Sequence, residues 1–556
     1  MSSGLPHKIV SRVVRFALGP LWKLIFAYVL VLGVSAFLGR WTPEFLQGRD
    51  LWHFYISRMV VPMVMLAALS CFIRVVPAAI LLAAIFLTIG TISAIKREAT
   101  GEPFQVSDLF LAGQSMHLLG YVGIDKWLMG VPLLPALLYA AGSLRFRMWN
   151  LPVFAVCAAL LSTYRFEPVV NFIHDYLATW GVENLTFSQA ESERMNGIGT
   201  HLYFSTAGLM LHDFAPAEIS AALAALGPAP APVSGTGALP DIYIVLGEAW
   251  WHDPSDPQSP IARLSASGLA EGSAISPVYG GTTPNAEFEV LTGIPVKSFR
   301  AGIIPYQHYV DYISEQSRAL PRLLTERGYE ARAFHNFTRR FWLRDKVYPR
   351  LGFQDFDGME QMQVEMQPNG WPADAGLYAD VLSHVSDGGP QFKFVVTVET
   401  HGPFAEDAAN DMQDGANHPG IADYRTRLSR ATTALAAFDV ALRAKGRPYI
   451  LLAFGDHLPG LREHQSKIGM VQDSDPRLHQ VSFLVSGNTG QVQQLRDRLD
   501  GKPLYCFGPS IADTLRLGLT DRYFAYAAQQ CQAPAPVVIE VAAPVIHNQI
   551  FAPQPM

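Results

Sequence analysis

The sequence predicts a two-part protein, in which an N-terminal bundle of membrane-spanning α-helices precedes an extracytoplasmic α/β domain with a mostly parallel sheet flanked by helices. Three observations predict this fold class. Of the 556 residues, 49% are hydrophobic and only 16% are charged, which is more apolar than a soluble enzyme usually is. The apolar excess is concentrated between residues 12 and 164. After residue 240, short apolar runs alternate with helical patterns, which is typical of α/β domains.

Five segments have the character of spanning helices, because a bilayer core of about 30 Å needs roughly 20 mostly apolar residues. They are Ala17–Gly39, Trp52–Ile73, Val75–Ile95, Trp127–Leu144 and Met148–Tyr164. The first has a cleavable signal peptide as its alternative, but further spans follow it and it lacks a small-residue cleavage site. Basic residues before the first span, between the second and third, and between the fourth and fifth favour the cytoplasmic side for those positions. The chain after the last span is then periplasmic or extracellular, and the protein is integral to the plasma (inner) membrane.

The sequence predicts four consecutive regions. Residues 1–164 form the transmembrane domain, and residues 165–240 form a helical connector that ends in a linker rich in Pro, Ala and Gly, a composition typical of linkers. The α/β domain covers residues 241–532. Residues 533–556 are predicted to be a C-terminal tail.

Charge and cysteine content limit the function classes. The net charge is −6, and no cluster of Lys and Arg with interleaved aromatic residues occurs, so a nucleic-acid partner is excluded. Cys71 and Cys157 lie inside apolar runs and are predicted to be packing residues. Cys506 and Cys531 flank a predicted helix, and two interpretations stay open for them, a disulfide or two unpaired buried thiols.

Polar residues follow two predicted strands of the α/β domain, at the edge where such folds carry their chemistry. Glu248 comes directly after the run DIYIVLG, and Asp456 and His457 come directly after PYILLAFG. A lone carboxylate at a strand end is more often a helix cap or a surface residue. Together, however, these side chains offer the oxygen and nitrogen ligands of a divalent cation.

The segment GGTTPNAEF predicts a helix that starts with Thr283 as its N-cap and Pro284 in the first helical position. A phosphoryl group near Thr283 would be stabilised by the free N–H groups and the dipole of the helix. Taken alone, the threonine is an ordinary helix cap. Combined with Glu248, Asp456 and His457 around one cation, it becomes a candidate nucleophile, because a metal-bound hydroxyl loses its proton more readily.

This layout and these motifs resemble the lipoteichoic acid synthase and phosphoglycerol transferase branch of the alkaline-phosphatase and sulfatase superfamily. The resemblance implies a sulfatase-like domain whose catalytic centre consists of Glu248, Thr283, Asp456 and His457 with one divalent metal ion. Mn²⁺ is the first choice for that ion, and Mg²⁺ or Zn²⁺ are alternatives.

The same resemblance assigns three further residues to substrate binding. Trp342 and Arg344 lie in FWLR, and His401 lies in TVETHGPF. A guanidinium group is a planar, permanently charged partner for a phosphate, although a surface ion pair with Asp345 or another acidic residue is the alternative for Arg344. A satisfied loop histidine is the alternative for His401, and His335 is a weaker candidate.

Two details of the threonine motif restrict the chemistry. Sulfatases that carry formylglycine have Cys or Ser two residues before the proline and Arg two residues after it, whereas this chain has Thr282 and Ala286 there. Sulfate-ester hydrolysis is therefore disfavoured. Thr283 is preferred as the nucleophile because its spacing to Glu287 matches the TxxxEF pattern of the family, and Thr282 is the alternative.

The resemblance implies metal-dependent transfer of a phosphoglycerol headgroup from phosphatidylglycerol, a membrane phospholipid, to an extracytoplasmic glycan or polymer. A phospho-threonine intermediate forms, and diacylglycerol is released. One alternative is a phosphoethanolamine transferase acting on lipid A or a glycan. The other is a catalytically silent membrane-bound relative, which is disfavoured because all four positions of the catalytic centre are occupied. The acceptor stays open.

Overall fold

The computed structural model describes most of the chain after residue 239 and parts of the chain before it. The described residues are 21–34, 51–100, 103–106, 108, 132–145, 148–161, 176–177, 179, 189–206, 214–228, 230, 239–299, 303–404, 420–472 and 475–551. The chain divides into two compact units, one formed mainly by residues up to 210 and the other mainly by residues from 211 onward.

The described part of the first unit is helical. Its helices are Leu21–Val34, Leu51–Ser70, Val75–Thr100, Leu133–Ala141, Leu151–Leu161, Gln189–Asn196 and Ile198–Thr206. Within the described ranges, one helical segment, Val75–Arg97, is both long and apolar enough to cross a membrane, and three shorter apolar helices accompany it. Parts of the first, fourth and fifth predicted spans lie outside the described residues. The number of five spans therefore stays a prediction.

A mixed sheet of eight strands forms the centre of the second unit, in the order β4-β3-β5-β1-β6-β7-β2-β8. The strands are β1 Asp241–Gly247, β2 Ala270–Ile275, β3 Glu330–His335, β4 Asp355–Asp357, β5 Gln391–Val396, β6 Tyr449–Gly455, β7 Gln480–Gly487 and β8 Lys502–Pro503. The first five strands in this order run parallel, whereas β7 is antiparallel to β6 and β2. The predicted α/β domain is confirmed, and its sheet is mixed.

Helices accompany the sheet along the whole second unit. They are Pro216–Ala225, Pro260–Ala266, Thr283–Thr292, Pro305–His308, Leu320–Thr325, Arg344–Leu351, Asp374–Ser383, Gly420–Ala444, Arg462–Lys467, Val492–Leu499, Phe507–Thr514, Arg522–Gln530 and Ala543–Ile550. Every residue of β1, β5 and β6 is buried, as expected for parallel strands that are covered on both faces. These central strands carry the core and bring their carboxyl ends to one edge.

The C-terminal region differs from the predicted tail. Residues 543–550 form a helix whose Val545, Ile546 and Ile550 are buried, and Phe551 pairs with Ile313 in an isolated β-bridge. Burial of these apolar side chains holds the segment on the second unit. The proline-rich composition near residue 535 does not predict this short helix.

A disulfide joins Cys506 to Cys531, with a Cα–Cα distance of 5.6 Å. The bond connects the beginning of helix Phe507–Thr514 with the end of helix Arg522–Gln530. Of the two interpretations that the sequence left open, the structure has the disulfide. Cys71 and Cys157 are buried and free.

Candidate active site

The carboxyl ends of β1 and β6 bring the predicted metal ligands together. The two strands are parallel neighbours, and Gly247 at the end of β1 is in register with Gly455 at the end of β6. A Cβ atom on Gly247 would lie 2.2 Å from the Trp250 ring, and one on Gly455 would lie 2.1 Å from the Trp250 carbonyl oxygen. Only glycine fits this close approach. Glu248 and Asp456 therefore emerge side by side.

Glu248, Asp456 and His457 form one buried cluster whose ligand atoms all lie within 4.8 Å of one another. His457 Nε2 is 3.2 Å from Asp456 Oδ2 and 3.4 Å from Glu248 Oε1. Two carboxylates and one imidazole nitrogen are ligands that divalent metals such as Zn²⁺ accept. The described geometry thus joins the three residues as the sequence predicts.

Hydrogen bonds turn the ligand atoms of this cluster toward a common point. Asp456 Oδ1 accepts hydrogen bonds from the backbone N–H groups of Ala249 (2.8 Å) and His457 (2.9 Å). Asp456 Oδ2 is buried and accepts no hydrogen bond from the described residues. His457 Nδ1 donates to the Leu458 carbonyl oxygen at 2.9 Å, so Nε2 keeps its lone pair for a ligand. These atoms fit a cation.

The charge balance of the cluster also fits a cation. Burial and the neighbouring Asp456 carboxylate hold the pKa of Glu248 well above its usual value. Two carboxylates this close and this deeply buried repel each other when both are ionised. A divalent cation between them would remove that repulsion.

Thr283 lies beside Glu248, although the helix starts differently from the prediction. Thr282, with φ of 65°, is the N-cap, and Thr283 is the first helical residue. The prediction of Thr283 as N-cap is therefore wrong by one position, because the left-handed turn at Thr282 starts the helix earlier. No side-chain capping hydrogen bond occurs at this end. The Thr283 hydroxyl lies instead 3.5 Å from Glu248 Oε2.

The loop after β5 binds the backbone of Glu248. The Glu248 N–H donates to Thr397 Oγ1 at 3.0 Å, and Thr400 Oγ1 donates to the Glu248 carbonyl oxygen. His401 follows in the same loop, and burial lowers its pKa to about 4. Its neighbour Thr400 binds the Glu248 carbonyl oxygen, so the structure brings this predicted substrate residue near the ligand cluster.

Arg344 is buried against helix Thr283–Thr292 rather than exposed. Its Nε and Nη2 atoms donate to Glu287 at 3.0 and 2.5 Å, and its Nη1 atom is 3.2 Å from His335 Nε2. Its charge also acts on Glu248. Arg344 is therefore in an ion pair, but the pair is buried and its partner is Glu287, unlike the surface pair that the sequence left as the alternative. A contact between Arg344 and phosphate stays a prediction.

Trp342 and His335 lie around Arg344. Trp342 is partly buried and has φ of 60°, a conformation that costs energy for a bulky residue and is often found at functional sites. His335 Nδ1 donates to the Val396 carbonyl oxygen at the end of β5. Burial and the Arg344 charge hold the pKa of His335 well below its usual value.

A second cluster with ligand atoms, Asp357, Asp380 and His384, lies elsewhere in the described part of this unit. Arg332 already pairs with Asp357, with Nε 2.8 Å from Oδ2. The Asp357 carboxylate is therefore already paired with a positive charge. The cluster of Glu248, Asp456 and His457 is the better candidate metal centre.

The sequence analysis did not identify Trp371, Asp374, Thr397 or Thr400, all of which lie close to this centre. Their contacts join segments that are distant in the sequence, and none follows a recognisable motif. Only Thr397 and Thr400 had a signal in the sequence, because they lie in the same TVETHG run as His401.

Comparison with known proteins agrees with this architecture. Residues 240–503 match the family model described as Sulfatase. The protein of Rhizobium meliloti (strain 1021) named "Putative cyclic beta-1,2-glucan modification protein" is 28% identical over 506 residues, which is 83% of this chain and 76% of that protein. The capsular polysaccharide biosynthesis protein RkpI of the same organism is 27% identical over 210 residues, which is 36% of this chain and 37% of RkpI.

A solved structure shares the fold over most of the chain. The lipooligosaccharide phosphoethanolamine transferase A from Neisseria meningitidis superposes with a TM-score of 0.52 and 13% identity, covering 91% of this chain and 99% of that one. The Sulfatase match covers residues 240–503, which carry Thr283 and the ligand cluster, and identifies this segment as a domain of the alkaline-phosphatase and sulfatase superfamily.

Proposed function

We propose that this protein is a membrane-anchored phosphotransferase that moves the phosphoglycerol headgroup of phosphatidylglycerol to an extracytoplasmic glycan through a phospho-threonine at Thr283. The observation that carries the proposal is the position of Thr283. Its hydroxyl lies at a helix N-terminus, 3.5 Å from a carboxylate of the buried ligand cluster. A hydroxyl nucleophile needs both a means of losing its proton and stabilisation of the phosphate charge.

In the first step, Thr283 Oγ1 forms a bond to phosphorus, and the bond from phosphorus to the diacylglycerol oxygen breaks. Diacylglycerol leaves with the proton that the threonine hydroxyl loses. In the second step, an acceptor hydroxyl oxygen bonds to phosphorus, the bond to Thr283 breaks, and the proton of the acceptor returns to Thr283. The helix N-terminus holds the phosphate oxygens through its free N–H groups in both steps.

The residues around Thr283 take separate roles in this proposal. Glu248, Asp456 and His457 bind one divalent cation, with Mn²⁺ as the first choice and Mg²⁺ or Zn²⁺ as alternatives. When bound, the cation favours loss of the Thr283 proton and offsets the phosphate charge. Trp342, Arg344 and His401 contact the substrate. The absence of the Cys or Ser and Arg pattern of formylglycine sulfatases agrees with a phosphate rather than a sulfate ester.

The first unit anchors the enzyme in the membrane where its lipid donor resides. Beyond the apolar segment Val75–Arg97, the helices Leu133–Ala141 and Leu151–Leu161 expose large apolar side chains, including Leu138 (66%) and Val156 (61%). Such surfaces are costly in water and favourable in lipid. The five-span bundle and the extracytoplasmic position of the second unit belong to this proposal, and the disulfide between Cys506 and Cys531 supports an oxidising compartment.

A glycan is the proposed acceptor class. Of the two relatives described above, one is named for modification of a cyclic β-1,2-glucan and the other for capsular polysaccharide biosynthesis. A phosphoethanolamine transferase is the second candidate function, because the phosphoethanolamine transferase from Neisseria meningitidis shares the fold over 91% of the chain. The two candidates differ in the donor headgroup and share Thr283 and the metal centre.

A transfer assay distinguishes these possibilities. Purified full-length protein in detergent is incubated with phosphatidylglycerol or phosphatidylethanolamine, with cyclic β-1,2-glucan, and with either Mn²⁺ or a chelator. The proposal expects diacylglycerol release and headgroup-labelled glucan from phosphatidylglycerol only, dependent on metal. The Thr283→Val variant should lose turnover by at least about 1000-fold, the order expected when a nucleophile is removed, whereas the matched Thr282→Val variant keeps it. Turnover of phosphatidylethanolamine alone favours the second candidate, and loss in Thr282→Val alone contradicts the assignment of Thr283.

A further inference from the structure

The loop 397–402 holds the backbone of Glu248 at the candidate centre. Thr397 and Thr400 bind the two backbone polar groups of Glu248, and His401 extends from the same loop. The position of a metal ligand and of a substrate residue therefore depends on how this loop is held. The side chains of Trp371 and Asp374 hold this loop.

Asp374 binds the beginning of the loop. Its side chain is fully buried, and Oδ1 accepts hydrogen bonds from the backbone N–H groups of Val398 and Glu399, both at 3.2 Å. Asn336 donates to the same oxygen at 2.9 Å. In return, the Asp374 N–H donates to Glu399 Oε2 at 2.9 Å. These reciprocal bonds fix the backbone between Thr397 and Thr400.

Trp371 binds the end of the loop. Its ring lies against the His401 imidazole, with the ring centroids 4.3 Å apart. Its Nε1 atom donates to the Gly402 carbonyl oxygen at 2.9 Å, and His401 Nδ1 contacts the same oxygen at 2.8 Å. The indole thus restrains both the plane of the imidazole and the carbonyl group that receives the Nδ1 proton.

We infer that Trp371 and Asp374 are positioning residues, with Asp374 holding Glu248 for the metal through Thr397 and Thr400, and Trp371 holding His401 for the phosphate. The inference rests on the proposed function in its assignment of His401 to the phosphate. The two residues are expected to affect two different binding events, of the cation and of the phosphate. Asp374 controls cation affinity, and Trp371 controls phosphate affinity without changing cation affinity.

Two binding titrations on the full-length protein test this separation, the first with Mn²⁺ and the second with inorganic phosphate at saturating Mn²⁺. Asp374→Ala should weaken Mn²⁺ binding about tenfold or more, the cost of losing support behind a ligand. Trp371→Leu should leave Mn²⁺ binding unchanged and weaken phosphate binding about tenfold. Trp371→Phe, which keeps an aromatic ring against His401, should recover most of that loss.

A double-mutant cycle shows whether Trp371 acts through His401. In a His401→Ala background, Trp371→Leu should cause no further loss of phosphate affinity, because the group that it positions is absent. Phe353→Leu is the matched control for loss of a buried aromatic residue elsewhere in the core, and it should leave both affinities unchanged. Circular dichroism verifies that each variant is folded.

Several results would overturn the inference. They are unchanged Mn²⁺ affinity in folded Asp374→Ala, unchanged phosphate affinity in Trp371→Leu, or additive losses in the double mutant. Headgroup transfer is measured on the same samples. Wild-type protein that binds Mn²⁺ and phosphate but transfers no headgroup would reject the proposed function and leave this inference standing.

Discussion

Glu289 is a buried carboxyl group in the same helix as Thr283. Burial raises its pKa to about 8, although the backbone N–H groups of Val296 and Tyr505 and the charge of Lys297 offset part of that effect. Folding therefore stabilises the protonated form. This contribution to the free energy of unfolding is complete below a pH of about 4.5 and is lost as the pH rises toward 8.

We predict that Glu289→Gln reduces the pH dependence of stability, because glutamine stays neutral throughout this range. Between about pH 5 and pH 8, the wild type should lose roughly 2–4 kcal/mol more unfolding free energy than the variant does. Urea unfolding at both pH values measures the difference. Equal pH dependence in the two proteins would show that Glu289 ionises normally in the folded state.

At the candidate metal centre, Asp456→Asn should have opposite effects with and without metal. In chelator, the variant should melt at a higher temperature than the wild type, because asparagine keeps the Oδ1 acceptor for Ala249 and His457 and ends the repulsion with Glu248. With Mn²⁺, it should lose metal affinity by more than the roughly 10–100-fold cost of an outer-shell change. A lower melting temperature in chelator would contradict the repulsion between Asp456 and Glu248.

The disulfide between Cys506 and Cys531 connects two helices near the end of the second unit. Its 25-residue separation corresponds to a stabilisation of about 3 kcal/mol by loop-closure entropy. The variant with both Cys506→Ala and Cys531→Ala should lose about this much unfolding free energy and should become insensitive to reducing agent. An undiminished response of the variant to reductant would assign the effect to another thiol.

Strand prediction succeeded where apolar runs are long. The segments DIYIVLG and PYILLAFG, which the sequence predicts as strands, form β1 and β6, because buried strands require continuous apolar sequence. Strand β2 reads AEGSAI and was missed, since its place in the sheet depends on antiparallel pairing with β7 rather than on its own composition. Strands β4 and β8 have only three and two residues.

Site residues were likewise predicted where they follow a long apolar strand and missed where they depend on tertiary contacts. Glu248, Asp456 and His457 follow predicted strands directly, so the rule for strand ends located them. The predicted start of the helix that carries Thr283 was wrong by one residue, because the left-handed conformation of Thr282 is set by the surrounding fold. Trp371 and Asp374 could not be predicted, since their partners lie about 25 to 31 residues away along the chain and only the tertiary structure brings them together.

We expect the second unit to lie outside the cytoplasm. A reporter fused after residue 551 should be active if it is an alkaline phosphatase and dark if it is a green fluorescent protein, since the former requires disulfides and the latter fails to mature after export. The same reporters fused after Arg74, between the second and third predicted spans, serve as the control and should give the reverse pattern. The opposite result after residue 551 would contradict an odd number of spans that starts from a cytoplasmic N-terminus.

In the proposed mechanism, Thr283 carries the headgroup between donor and acceptor. The most direct measurement is mass spectrometry of the full-length protein that has been incubated with phosphatidylglycerol and Mn²⁺ in the absence of acceptor, quenched in acid and digested. We expect a phosphoglycerol adduct on Thr283 that disappears when glucan is added before the quench. An adduct on Thr282, or diacylglycerol release without any adduct, would contradict it.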